Sequence, residues 1–116
     1  METAGAWGAV MVNAKDIAIA KDLLGRVAAF TEVFSFKLFG SRARGGGSID
    51  SDMDIFIVVP ELTPELDKRI SEAAWQTGLE NDIVICTVVC TPEDLERAGF
   101  RGSPFLNAIA REGVAV

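Results

Sequence analysis

From Asn13 onward the apolar positions Ile17, Ala20, Leu24 and Val27 recur every three or four residues, a spacing that gathers them on one side of a helix. Asn13 is placed to cap that helix, and Asp16 falls in its first turn, where a negative charge suits the exposed amides. The period then changes. Val33 to Phe39 is aromatic and β-branched, with Phe34, Phe36 and Leu38 alternating onto one face, which predicts a first strand. Met53 to Val59 is apolar at every position but Asp54, the pattern of a central strand covered on both faces, and Pro60 stops it. Three hydroxyl-proline pairs, Thr63-Pro64, Thr91-Pro92 and Ser103-Pro104, each place a capping side chain before a proline at the first helical position. The helix after Thr63 carries Leu66, Ile70 and Ala73 on one side and is expected to end at Gly78 in a left-handed turn. A third strand is expected over Ile83 to Val89. The last helix should end near Gly113 and leave Val114 to Val116 as a tail that adds to a sheet edge. Strands alternating with helices in this order predict an α/β sandwich.

The chain has 116 residues, 49% of them hydrophobic and 24% charged, the composition and size of one globular domain. Residues 1–116 are read as that single domain, with 1–12 as a loosely ordered N-terminal segment. A net charge of −6 argues against broad binding to nucleic acid, which needs an extended basic surface. Apolar runs are too short for a membrane span, which takes about 20 residues, and no basic start marks an export signal; two cysteines that form no disulfide framework lead to the expectation of a cytoplasmic location. Cys86 and Cys90 lie four apart on the expected third strand, a separation of about 13 Å that no disulfide bridges. They read as small apolar core residues. Histidine is absent altogether, which excludes histidine-ligated zinc within this chain and leaves carboxylates as the plausible metal ligands.

Candidate chemistry is concentrated in Leu38-Phe39-Gly40-Ser41-Arg42-Ala43-Arg44-Gly45 and, after a short loop, Ser51-Asp52-Met53-Asp54-Ile55. Gly40 ends a strand without a side chain, which allows close approach to a phosphate, and Ser41 adds a hydroxyl and an amide. Asp52 and Asp54, two apart on a strand, point to one face with Cα atoms about 7 Å apart, a layout suited to sharing two divalent ions. A calcium loop over Asp50 to Glu61 is rejected because Ile55 stands where that loop requires glycine.

The joint pattern, Gly-Ser, ten residues, then Asp-x-Asp opening an apolar strand, resembles the signature of minimal nucleotidyltransferases within the DNA polymerase β-like superfamily. The likeness includes the fuller Gly-Ser-Arg-Ala-Arg-Gly at 40 to 45 and Ser-Asp-x-Asp-Ile at 51 to 55. A weaker likeness runs from Ser103 to Val114. The resemblance implies a polymerase β-like fold with a mixed sheet of three or four strands. It implies that Gly40 and Ser41 hold the terminal phosphates of a nucleoside triphosphate, ATP being favoured, and that Asp52 and Asp54 bind two Mg2+ ions, with Mn2+ as a substitute. Arg42 and Arg44 are candidates to neutralise phosphate charge. The family's third carboxylate, which binds one metal, is assigned to Asp82 at the opening of the third strand, with Glu80 as the fallback.

The implied reaction moves a nucleoside monophosphate, AMP from ATP in the first instance, onto an acceptor hydroxyl. Small members of the family often pair with a helical partner called HEPN and act as the antitoxin that adds AMP to it. Two alternatives stand beside that expectation. One is a degenerate antitoxin that works by binding alone, and the other is a homodimeric enzyme modifying a small molecule of the aminoglycoside type.

Overall fold

The computed structural model describes residues 13–40, 52–97 and 104–116. Helix α1 (Ala14–Ala28) is capped as expected, the Asn13 side chain accepting from the Lys15 amide at 2.7 Å. Strands β1 (Ser35–Phe39) and β2 (Met53–Val58) follow, then helix α2 (Pro64–Asn81) and strand β3 (Ile85–Cys90). A short helix α3 (Pro92–Glu96), helix α4 (Pro104–Glu112) and strand β4 (Val114–Ala115) close the order.

The four strands form one mixed sheet in the order β3-β2-β1-β4. β1 pairs antiparallel with β2 and β4, while β3 lies parallel to β2, as the helical crossover through α2 requires. The tail thus adds to a sheet edge, as its apolar residues indicate. Alternation along the strands divides the sheet into two unequal faces. Met53, Ile55 and Ile57 of β2 with Phe36 and Leu38 of β1 face α1 and α2, where Ile19, Leu23, Val27, Ile70 and Ala74 complete the main core. On the opposite face Phe56 and Val58 meet Cys90 and Ile109 in a smaller cluster.

Several element ends and faces differ from the sequence reading, β3 among them, which runs from Ile85 to Cys90 and not from Ile83 to Val89 because the chain is still leaving the α2 cap at Ile83. The buried face of α1 is centred on Asp16, Ile19, Ala20, Leu23 and Val27, leaving Ile17 and Leu24 only half-buried. Phe34 precedes β1 and is largely exposed, although its amide still donates to the Val58 carbonyl at 2.8 Å. The largest difference is at the end of α2. Gly78 is not the terminating residue but an interior, buried one, and the helix runs on to Asn81. Asp82 takes the left-handed turn, with φ of 58°, and the Ile83 amide returns to the Gly78 carbonyl at 3.0 Å. Gly78 is needed for a different reason: a Cβ there would come within 2.5 Å of the Ile83 carbonyl oxygen.

The proline-led helix starts hold where they are described. Thr63 accepts from the Leu66 amide, and Thr91 exchanges hydrogen bonds with Asp94 in a full capping box. Ser103 and the N-terminal segment 1–12 lie outside the described residues.

Candidate active site at the Gly40 and Asp54 edge

Antiparallel pairing brings the C-terminal end of β1 beside the N-terminal end of β2, with Phe39 level with Asp54. Gly40 follows at once with φ of 79°, in the left-handed region that favours glycine. Its backbone lies against the Asp54 side chain. A Cβ at position 40 would run into Asp54 Oδ2 and stand 3.3 Å from Cγ. Two motif halves separated along the chain are therefore in contact, and glycine is the residue that lets them meet.

Asp54 is half-buried, and its carboxyl is held above the usual carboxylate range, first by burial and then by the negative charge of Asp52. Asp52, just before β2, is exposed and accepts a long hydrogen bond from Cys86 Sγ at 3.6 Å. Parallel register sets Cys86 of β3 level with Asp54. Its thiol is pushed up by burial, then by the Asp52 charge and the bond to it, so it remains a donor. The edge thus presents two carboxylates and a neutral thiol beside a bare glycine backbone. A divalent cation would relieve the repulsion between the carboxylates, and their hard oxygens suit magnesium. Among the described residues no group of three or more Asp, Glu or Cys is arranged to close around a metal.

Asp82 does not open β3. It caps α2, exposed, and two residues, Ile83 and Val84, separate it from Ile85, the first β3 residue paired with β2. Its fallback, Glu80, is engaged elsewhere, accepting from Arg26 and from Gln76, and these bonds hold its carboxyl below the usual range. Cys86 is the residue that the sequence reading left in the core. Only Cys90 is buried; Cys86 is exposed at the candidate site. Counting along two parallel strands would have found it, but the register is fixed by tertiary contacts and not by local pattern. Ser41, Arg42 and Arg44 lie outside the described residues.

Among the described residues no helix is long and apolar enough to cross a membrane. A family model described as a nucleotidyltransferase domain matches residues 20–111, a span that contains both motif halves. No curated protein sequence matches the chain.

Proposed function

The chain belongs to the nucleotidyltransferase domain family, and from that premise we propose that it transfers AMP from ATP to a hydroxyl group of a partner protein. Nucleotidyl transfer is the activity of the family. The observation that carries the proposed site is the seating of the Gly40 backbone against the Asp54 carboxylate. That contact joins the Gly-Ser end of β1 to the aspartate pair, which supports reading the two motif halves as one site for phosphate and cation.

In this reading Asp52 and Asp54 hold magnesium. Two carboxylates are enough, because magnesium is commonly held by one or two of them and completes its shell with waters and substrate phosphates. When bound, the ion supplies charge neutralisation and polarises the phosphoryl oxygens. Gly40 leaves the triphosphate room to approach. Ser41, Arg42 and Arg44, which follow it in sequence, are the proposed donors to the phosphate oxygens. The acceptor hydroxyl oxygen then bonds to the α-phosphorus as the bond to pyrophosphate breaks, and the hydroxyl proton passes to solvent. Cys86 steadies the Asp52 carboxylate through its hydrogen bond. Asp82 is assigned to the end of α2, because the position beside Asp54 belongs to Cys86.

The proposed acceptor is a HEPN-type helical protein, with this chain as its antitoxin. The likeness of the 40–55 segment to minimal nucleotidyltransferases supports that choice. The test is to recover stable helical partners by native pull-down and incubate them with the protein, magnesium and α-labelled ATP. Label on the partner is expected; absence of any such partner overturns the assignment. One observation favours a second reading, in which neutralisation occurs by binding alone: β3 offers a thiol, not an acid, level with Asp54. Neutralisation that survives Asp52→Asn together with Asp54→Asn would establish it.

A further inference from the structure

β3 is the outer strand of the sheet, and among the described residues nothing pairs with its free side. Soluble proteins usually guard such an edge with charge, proline or a bulge. Here no charged residue or proline occurs from Ile83 to Thr91, in a chain of net charge −6. The Met53 amide donates to the Val84 carbonyl and the Val59 amide to the Cys90 carbonyl, so the even-numbered residues of β3 turn their backbone groups toward β2. By the alternation of a parallel ladder, Ile85, Thr87 and Val89 point theirs outward.

Apolar side chains are exposed on both sides of this edge. Val84 (61%) and Val88 (38%) lie on the face that carries Asp54, while Trp75 (66%) and Leu79 (58%) of α2 stand over the other. A cleft of about 310 Å³ runs between α2 and β3, with Trp75, Leu79, Ile85 and Thr87 on its walls. A strand added here would therefore need apolar residues on both of its faces and no charge. β3 itself is such a strand, and its three outward-facing residues are symmetric about Thr87.

We propose that two copies of this chain associate through β3, antiparallel about a two-fold axis at Thr87, to form one continuous eight-stranded sheet. Thr87 then pairs with Thr87 of the second copy and Ile85 with its Val89, each pair exchanging backbone hydrogen bonds. Cys86 faces Val88 of the second copy in a non-hydrogen-bonded pair. No like charges oppose each other along the ladder, which is why two acidic chains can meet there. The axis lies one strand from Asp54, so Val88 of the second copy becomes a wall beside the Cys86 end of the site.

Sedimentation in the micromolar range tests the association, with the full chain expected at twice its mass of 12.4 kDa. Val88→Lys places like charges next to the axis and should yield monomer with an unchanged circular dichroism spectrum. An independent readout fixes the register. In a non-hydrogen-bonded antiparallel pair the Cα atoms are about 4.5 Å apart, within disulfide reach. Val88→Cys should therefore cross-link to Cys86 of the second copy in oxidised glutathione, and adding Cys86→Ser should abolish the link. A monomer throughout the range overturns the proposal. So does a dimer that Val88→Lys leaves intact and Val88→Cys does not cross-link, which would place the contact, or a different protein partner, on another surface.

Discussion

Gly40→Ala separates the needs of the fold from those of the site. At φ of 79° an alanine is strained by about 1–2 kcal/mol. Part of that is offset by the smaller freedom of alanine in the unfolded chain, worth about 0.4–1 kcal/mol. A net loss of about 1 kcal/mol lowers the melting temperature by about 4–8 °C in a domain of roughly this size. The new methyl also runs into Asp54 Oδ2, the end of a short side chain whose Cγ is 3.3 Å away. That oxygen has to retreat on the order of 1 Å to regain ordinary van der Waals contact. A displacement of that size at a reacting centre costs about 100-fold in rate. The assay is pyrophosphate release from ATP and magnesium with the recovered partner as acceptor, measured below the melting transition of every variant. Gly25→Ala is the control, because an exposed helix position with nothing within 4 Å should gain about 0.5–1 kcal/mol and keep full activity. Gly40→Ala protein that is folded and as fast as the wild type would refute the placement of Asp54 beside the Gly40 backbone as a catalytic requirement.

Three further outcomes follow from the same geometry. Asp54 has a folded carboxyl above its unfolded value, so its ionised form costs stability at neutral pH, a penalty relieved as pH falls through the folded value and gone below the unfolded one. Asp54→Asn should therefore raise the neutral-pH melting temperature of metal-free protein, converge with wild type in acid, and lose the stabilisation that magnesium and ATP give the wild type; thermal melts across pH with chelator check it. Asp82→Gly should stabilise the left-handed end of α2 by about 0.5–1 kcal/mol in a denaturant titration, and Asp82→Asn should leave nucleotidyl transfer intact, whereas a collapse of transfer in both would return Asp82 to the site. Gly78→Ala, although it adds a better helix former, should destabilise by at least about 1 kcal/mol because its methyl meets the Ile83 carbonyl, and urea denaturation of the two glycine variants in α1 and α2 should give opposite signs.

The order of elements was legible because each is announced locally: Asn13, Thr63 and Thr91 cap helices, Pro60 stops β2, and unbroken apolar runs write the inner strands. Parallel β2 and β3 followed from the helix between them. The candidate site was legible as a motif, and the fold explains the motif by bringing Gly40 and Asp54 into contact. Details set by tertiary geometry were not. Gly78 reads as a helix stop because glycine is the usual left-handed residue, yet contact with the Ile83 carbonyl keeps it inside α2 and passes the turn to Asp82. Cys86 reads as core because thiols usually are, yet the register of two strands more than thirty residues apart sets it beside Asp54 on an open face.

The proposed site at Gly40, Asp52 and Asp54 stands or falls on metal-dependent nucleotidyl transfer. Its most direct test is to follow α-labelled ATP with magnesium in parallel reactions of the wild type and the Asp52→Asn, Asp54→Asn double variant, both with the recovered partner present. The wild type should leave label on the acceptor and pyrophosphate in solution, and a folded double variant should do neither. Equal labelling by both proteins would contradict the proposed site.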